Sequence, residues 1–373
     1  MNLEIFGGLV GEICAHTLVA PGRALKWTII ANPAAGGFTI RSRWRRHHEI
    51  LKTYAEKAAA CPPRTESGPS LTARESGRGG GLGAYGLIPT LRPGHGGEIA
   101  RALFDEAAAD ISGAGGSAPF HLIITAGGDG TSLDILTALY HAPPQVRSNT
   151  VILRLPMGTG NDGSDAAELD AALDFLIRPV SIERTPALRL TTSTPGKGPF
   201  LAFNILSVGL DAFVTHMTNK TKGKFPGDSY KLWVDIASLL YDRLYRVGPL
   251  EVRALDEKKR EIRSFRENVL LLAVGASGHR TYGSHKKILP DDRNVCAVKQ
   301  MPLLRKVALK GLFTTGEHIN KPESILFSAH RVEFSGRYPI LAQMDGETAL
   351  LGPEDFPAAI ELTEKLIPVL KPR

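Results

Sequence analysis

The sequence predicts an N-terminal α/β domain followed by an all-β domain. In the first half, short apolar runs rich in β-forming residues alternate with segments of helical periodicity, which is the pattern of a parallel sheet covered by helices. After about residue 185, similar runs are separated by turns, which indicates antiparallel strands. The length of 373 residues supports two domains, because one hydrophobic core usually organises about 100–200 residues.

Composition and charge narrow the class of protein. Hydrophobic residues make up 43% and charged residues 22%, which excludes a largely disordered or fibrous chain. The net charge of +7 favours an anionic partner such as nucleotide phosphate, nucleic acid or anionic lipid, without choosing among them. The 3 cysteines form no CxxC pair, so we expect a reducing, cytoplasmic setting. No apolar run is long enough for a spanning helix, and we expect a soluble or peripheral protein.

The first half contains four predicted strands joined by helical segments. We expect residues 1–26 to be an N-terminal extension and residues 27–185 to form the α/β domain. A segment rich in Pro, Gly, Ser and Arg, Cys61–Gly83, is expected to be a surface loop. The predicted strands are Trp27–Ala31, Tyr85–Thr90, His121–Ala126 and Val151–Leu155.

The second half is predicted to be built from strands. We expect one domain over residues 186–355 and a C-terminal segment, 356–373, that packs back on the first domain. The amphipathic stretch Asp228–Tyr245 is the one helix expected between the strands. The predicted strands are Ala187–Thr192, Phe200–Ser207, Leu250–Leu255, Asn268–Val274, Asn294–Lys299, Ser324–Ser335 and Tyr338–Met344.

Three glycine-bearing loops follow predicted strands of the first domain: Asn32–Gly37, Gly127–Thr131 and Leu155–Asp162. Glycines let backbone amides approach a phosphate, and the N-terminus of a following helix adds a favourable partial charge. In the second loop, Asp129 is placed to hold Mg²⁺ or to position a hydroxyl, and Thr131 to cap a helix beginning there or to contact a phosphate. Because the carboxyl ends of parallel strands meet at one edge, the loops are expected to converge on one nucleotide site.

Two of the candidate motifs have simpler interpretations. In the third loop, Asn161 or Asp162 is also suited to capping the next helix. Near the C-terminus, Asp345-Gly346-Glu347 follows a strand, and by itself it is typical of a DG hairpin turn with a solvated glutamate. A basic cluster after the first loop, Arg41–His48, is interpreted as a solvated helix face, with contact to phosphate or anionic lipid as the alternative.

Taken together, the order and spacing of these motifs resemble the diacylglycerol kinase catalytic family, which includes bacterial lipid kinases and the sphingosine and ceramide kinases. The resemblance extends from about Trp27 to the C-terminus. The motifs that carry it are NPxxGG at Asn32–Gly37, GGDGT at Gly127–Thr131, PxGTxND at Pro156–Asp162, FN-x-x-SxGxDA at Phe203–Ala212 and DGE at Asp345–Glu347.

The resemblance implies a Rossmann-like α/β nucleotide domain and a β-sandwich lipid domain, with transfer of the γ-phosphate of ATP to a lipid hydroxyl in the presence of Mg²⁺. Asp129 corresponds to the acidic residue at the metal and the γ-phosphate, Glu347 to the general base, and Asp292 to a regulatory metal ligand. The implied nucleotide-binding residues are Asn32, Gly36, Gly37, Thr90, Gly127, Gly128, Gly130, Thr131, Thr159, Asn161 and Asp162.

The sequence also departs from the family pattern. Leu133-Asp134 stand where the family has an Asn-Glu pair, Gly163-Ser164-Asp165 replace a Phe-Ala-Arg run, and Gly283-Ser284-His285 replace a glycine triplet. These changes make the identity of the lipid the least transferable inference. Two alternatives therefore stay open: a kinase of a soluble substrate such as NAD, and a non-catalytic lipid-binding protein.

A lipid substrate presented at a membrane surface requires contact with that surface. The basic residues Lys220, Lys222 and Lys224, followed by a helix with Trp233, are interpreted either as such a contact or as part of the core. We expect a cytoplasmic protein that associates peripherally with membranes, with the lipid and ATP as partners and without nucleic acid. A homodimer is left open.

Overall fold

The computed structural model describes residues 2–63, 86–113, 118–158, 160–221, 241–282 and 286–373. The chain divides into two compact units. The first comprises Met1–Thr185 with Leu366–Arg373, and the second comprises Pro186–Lys365.

The first unit contains a four-stranded parallel sheet in the order β2-β1-β3-β4. All four strands expected from the sequence are present, with ends shifted by one or two residues. Strand β3 is buried along its whole length, as expected of a central strand covered on both faces. The strands are β1 (Leu25–Ala31), β2 (Gly86–Pro89), β3 (Phe120–Gly127) and β4 (Thr150–Pro156). The prediction of an α/β fold for this half is confirmed.

Seven described helices cover this sheet. The first helix lies within residues 1–26 and belongs to the core of the unit, because its apolar side chains recur at helical spacing and Phe6, Val10 and Ile13 are fully buried. The helices are α1 (Asn2–Cys14), α2 (Gly36–Thr39), α3 (Arg41–Ala59), α4 (His95–Gly113), α5 (Asp129–His141), α6 (Pro144–Ser148) and α7 (Leu169–Ile177).

The second unit is dominated by antiparallel strands. The long strand β9 pairs with β8 through its first half and with β7 and β12 through its second half, so it joins two parts of one eleven-stranded sheet. Side chains from both parts share one core, which agrees with the expected sandwich. The strands are β5 (Val180–Thr191), β6 (Phe200–Ala202), β7 (Ile205–Gly209), β8 (Pro249–Leu255), β9 (Glu261–Gly275), β10 (Arg280–Tyr282), β11 (Lys286–Leu289), β12 (Val295–Lys299), β13 (Ser324–Phe327), β14 (Arg331–Gly336), β15 (Ile340–Met344), β16 (Glu347–Leu351) and β17 (Ala358–Pro372).

The second unit also contains three described helices, α8 (Leu210–Thr221), α9 (Tyr241–Leu244) and α10 (Leu303–Thr315). Helix α9 lies within the helix predicted over Asp228–Tyr245, of which residues 228–240 lie outside the described residues. The expectation that this would be the one helix between the strands is wrong, because α8 and α10 were not predicted. Helix α10 lacks an amphipathic pattern because its exposed face is apolar as well. Within the part of the chain that the structure describes, no helix is both long and apolar enough to cross a membrane.

Two runs predicted as single strands are each broken into two, because side chains replace the ladder partners at the break. Between β6 and β7, backbone N–H groups donate to the Asp345 carboxylate. Between β13 and β14, the amide of Asn294 bonds both backbone groups of Ala329, with distances of 3.0 Å each. A side chain that is remote in sequence therefore ends each strand.

Candidate active site

The loops that follow β1, β3 and β4 meet at the carboxyl edge of the parallel sheet. The N–H of Asn32 donates to the carbonyl of Ala126 over 2.9 Å, and the N–H of Gly37 donates to the carbonyl of Met157 over 2.8 Å. The first loop is therefore bonded to the ends of both other strands. The convergence expected from the sequence is present in the fold.

Glycines let the second and third loops approach each other closely. A Cβ atom on Gly158 would lie 2.6 Å from the Cα of Gly128, and a Cβ atom on Gly127 would lie 2.7 Å from the Oγ1 of Thr131. Because real Cβ atoms do not come this close to other atoms, the loops require glycine at both positions. Gly158 is required by the backbone of the second loop, whereas Gly127 is required by the side chain of Thr131 within the second loop itself. Packing is therefore a reason for these glycines besides the expected phosphate contact.

Helix α5 points its N-terminus into this meeting point. The helix begins at Asp129, with Gly128 as its N-cap, two residues before the start predicted at Thr131. Thr131 therefore lies inside the first turn with Gly130 and does not cap the helix. The first N–H groups of a helix have no intrahelical acceptor, and together with the helix dipole they favour an anion.

The Asp129 carboxylate is held between the second and third loops. Its Oδ1 accepts a 2.9 Å hydrogen bond from the N–H of Gly163. A Cβ atom on Gly160 would lie 3.2 Å from Oδ2, so the second oxygen borders the third loop. The acid thus has a defined orientation, and it places a negative charge where the loops meet.

The third loop is closed by its own asparagine. The Asn161 side chain accepts from the N–H of Gly158 over 2.8 Å and donates to the carbonyl of the same residue over 3.2 Å. Helix α7 has Glu168 as its N-cap, so the alternative that Asn161 or Asp162 caps the next helix is wrong. Asp162 is half-buried in the following turn, and Thr159 lies outside the described residues.

A buried ion pair, which sequence reasoning missed, anchors the end of the third loop to β4. The Nη2 of Arg154 lies 2.6 Å from the Oδ1 of Asp165, and the backbone N–H of Arg154 donates to Oδ2 over 2.7 Å. The two side chains are only 11% and 5% exposed. The sequence signal was an arginine inside an apolar strand, since a buried charge requires a partner.

The residues after β2 also reach this edge of the sheet. The N–H of Thr90 donates to the carbonyl of Ala31 over 2.7 Å, which places Thr90 beside the end of β1. Asp134 of α5 lies against the start of α4, where a Cβ atom on Gly97 would be 3.1 Å from the Asp134 carbonyl oxygen. Burial raises the pKa of the Asp134 carboxyl, opposed by a backbone hydrogen bond from Gly94. Asp134 thus connects the Thr90 loop to α5.

In the second unit, the DGE motif forms a hairpin turn. Asp345 and Gly346 have φ angles of 45° and 99° and join β15 to β16, so the predicted DG hairpin is confirmed. Glu347 is the first residue of β16 and is exposed. The side chain of Asn219 in α8 donates to the carbonyl of Gly346 over 2.9 Å. The hairpin turn is therefore tied to α8.

Asp345 has a role that the sequence did not reveal. Its carboxylate is buried and accepts from three consecutive backbone N–H groups, those of Phe203, Asn204 and Ile205, the last at 2.9 Å. Hydrogen bonds to an ionised acceptor are among the stronger ones in proteins. Asp345 therefore joins the FN segment to the hairpin that carries Glu347.

Asp292 lies in the loop between β11 and β12. Its carboxylate is exposed, and its Oδ1 lies 3.0 Å from the Nε2 of His279. The adjacent carboxylate belongs to a different pair, since a hydrogen bond from Arg293 lowers the pKa of Asp291. Across the described residues, no cluster of three or more His, Cys, Asp and Glu side chains is arranged to hold a metal ion on its own.

The structure therefore brings together most of the predicted nucleotide-site residues in the first unit. Glu347 and Asp292 belong to the second unit and lie on different elements of it. Glycine loops around a helix N-terminus, at the carboxyl edge of a parallel sheet, are an arrangement that phosphotransferases use to bind phosphate.

Comparisons with known proteins agree with the phosphotransferase class. Residues 26–188 match the family model described as diacylglycerol kinase catalytic domain. Two curated relatives named Probable lipid kinase YegS-like, from Xanthomonas euvesicatoria pv. vesicatoria (strain 85-10) and Xanthomonas axonopodis pv. citri (strain 306), are each 24% identical over 234 residues, covering 61% of this chain and 72% of the relative. Residues 26–188 thus form a domain of the diacylglycerol kinase catalytic family, as the motifs indicated.

Solved structures resemble almost the whole chain. A Bacillus anthracis str. Sterne protein described as a diacylglycerol kinase is 15% identical, with a TM-score of 0.56, covering 92% of this chain and 96% of the other. At this identity the likeness establishes the fold alone, an α/β region followed by an antiparallel sheet-rich region. The family and the curated relatives support a kinase function.

Proposed function

We propose that this protein is an ATP-dependent kinase that transfers the γ-phosphate to the hydroxyl of diacylglycerol or a related lipid. The observation that carries the proposal is the Asp129 carboxylate at the N-terminus of α5, oriented by Gly163 where three glycine loops meet. Phosphoryl transfer depends on positioning and charge stabilisation, and this arrangement supplies backbone donors and one oriented acid.

The donor set at this site fits a magnesium ion bound together with a nucleotide. Mg²⁺ usually takes one or two carboxylates, substrate phosphates and waters, so it needs no cage made only of protein ligands. Asp129 would hold the ion, whose charge would offset that of the phosphates. The first-turn N–H groups of α5 would bind phosphate oxygens. Asp292 is kept as the proposed regulatory ligand.

Glu347 is proposed as the general base that accepts the proton of the lipid hydroxyl. Its carboxylate is exposed, and its backbone follows a turn that Asp345 and Asn219 hold in place. A carboxylate within hydrogen-bond reach of a hydroxyl can accept its proton during transfer.

The direct test is transfer of radiolabelled phosphate from Mg-ATP into the organic phase. The purified protein is assayed with mixed micelles containing diacylglycerol, ceramide, sphingosine, monoacylglycerol or phosphatidylglycerol, and with NAD as a soluble acceptor. We expect label in one lipid class, with diacylglycerol or a close relative preferred. Label in NAD would favour the soluble-substrate alternative, while tight lipid binding without ATP turnover would favour a non-catalytic lipid-binding protein.

A lipid kinase must reach its substrate in a bilayer, and we propose peripheral association from the cytoplasmic side. Of the basic and aromatic residues expected to make this contact, Lys222, Lys224 and Trp233 lie outside the described residues. Among the described residues, exposed apolar side chains cluster on α10: Leu304 is 85% exposed, Val307 52% and Leu303 44%. Two of the three basic residues of the helix are paired within the protein, Arg305 with Glu323 and the buried Lys306 with Asp242, so the proposed contact depends on the apolar side chains.

Replacing Leu304 with aspartate should weaken binding to phosphatidylglycerol vesicles about tenfold, because a leucine side chain would no longer enter the interface. The matched control is Ile262→Asp, which places the same charge at another exposed apolar position, 48% exposed on β9. Vesicle sedimentation measures both variants. If Leu304→Asp, Ile262→Asp and the wild type bind the vesicles equally well, α10 does not contact the membrane.

A further inference from the structure

The three glycine loops contain no basic side chain. The segments 32–37, 127–131 and 156–162 carry the carboxylates of Asp129 and Asp162, but neither lysine nor arginine. A polyphosphate beside two carboxylates meets like charge, which opposes binding unless cations offset it. Backbone N–H groups supply only partial charges. A cationic side chain from outside the loops would therefore improve binding of a nucleotide.

Arg43 in the first turn of α3 reaches the third loop. Its Nη1 donates to the carbonyl of Gly158 over 3.4 Å, and its side chain is half-buried. Other arginines of the same helix remain on the surface: Arg45 is exposed, and Arg46 is exposed and pairs with Glu168. The interpretation of the basic cluster as a solvated face thus fits Arg45 and Arg46, whereas Arg43 points to the loops.

His47, one helical turn after Arg43, fills the space between α3 and the first loop. A Cβ atom on Gly37 would lie 3.1 Å from the Nδ1 of His47, and that nitrogen is buried without a hydrogen-bond partner among the described residues. Burial, followed by the charges of Arg46 and Arg43, lowers the pKa of His47. His47 is therefore neutral near neutral pH, so Arg43 supplies the positive charge on this side of the loops.

We propose that Arg43 binds the phosphate chain of the nucleotide at the third loop. This inference rests on the proposed function, since it takes the glycine loops to be the nucleotide site. A guanidinium has five N–H donors in a planar fork, and the bond to Gly158 uses one of them. The others can bind phosphate oxygens, for which this geometry is well suited. The ligand class is a nucleoside di- or triphosphate.

The test compares the affinity for ATP, ADP and adenosine by calorimetry. The proteins are the wild type, Arg43→Gln, Arg43→Lys and the matched control Arg45→Gln, which removes an exposed charge from the same helix turn. We expect Arg43→Gln to weaken ATP binding about 10- to 100-fold, as for loss of a hydrogen bond to a charged group. Adenosine affinity should not change. Arg43→Lys should recover part of the ATP affinity, and Arg45→Gln should match the wild type.

Each other outcome has a separate meaning. If the wild type binds ATP and Arg43→Gln binds it equally well, Arg43 has no phosphate role and the inference is overturned. If Arg43→Gln weakens ATP and adenosine to the same extent, Arg43 supports only the loop structure, and the inference is again overturned. If the wild type binds none of the three ligands, the proposed nucleotide site fails, and the inference fails with it. Unfolding midpoints without ligand show whether each variant folds.

Discussion

Asp129→Asn should lower phosphoryl transfer about a thousandfold without dislodging the third loop, because it removes a charge from the site of transfer and keeps the hydrogen bond. The asparagine oxygen can still accept from the N–H of Gly163, which Asp129 now does over 2.9 Å. Initial rates with Mg-ATP and lipid micelles measure the first effect. Unfolding midpoints in urea measure the second, and they should stay close to those of the wild type.

Asp129→Ala separates the charge from the anchoring of the loop. Alanine removes both, so this variant should lose transfer to the same extent and should also be less stable by about 1 kcal/mol, as expected for one lost hydrogen bond. A rate near that of the wild type for Asp129→Asn, over a range of magnesium concentrations, would contradict the assigned role. Equal stability of the two variants would contradict the anchoring role alone.

Glu347→Gln should reduce transfer by a factor of about 10²–10⁴, the usual contribution of a general base, while leaving stability unchanged. The side chain is exposed, and glutamine has nearly the same size and shape. ATP affinity should also stay unchanged, because the predicted nucleotide site lies in the other unit. Calorimetry with ATP and transfer rates with lipid test the two parts separately. Retained transfer would exclude Glu347 as the base.

Asp345→Asn should lower stability, in contrast to Glu347→Gln. Asp345 lies only two residues from Glu347, but its side chain is buried. Asparagine tolerates the positive φ of 45° at this position, so the turn itself should survive. The neutral asparagine oxygen accepts weaker hydrogen bonds from the N–H groups of Phe203, Asn204 and Ile205 than the carboxylate does. We therefore expect the free energy of unfolding to fall by about 2 kcal/mol. If Asp345→Asn were as stable as Glu347→Gln, the anchoring role would be wrong.

Local patterns predicted the parts of the site that lie within single segments. Strands β1, β3 and β4 could be predicted because buried parallel strands are continuous apolar runs. The glycines that follow these strands indicated the loops. The DG turn was readable because both residues tolerate positive φ. Helix α10 could not be predicted in this way. Its exposed side carries leucine and valine as well as its buried side, so the sequence has no helical periodicity of apolar residues there.

The sequence by itself therefore determined the α/β half, the strand-rich half and the glycine loops, because apolar periodicity and turn chemistry act over a few neighbouring residues. Tertiary structure alone decided which polar side chains join distant segments. Asp345 bonds backbone about 140 positions away, and Arg43 meets Gly158 across 115. These partners depend on the order β2-β1-β3-β4 and on the course of β9, and contacts between remote segments leave no local trace in sequence.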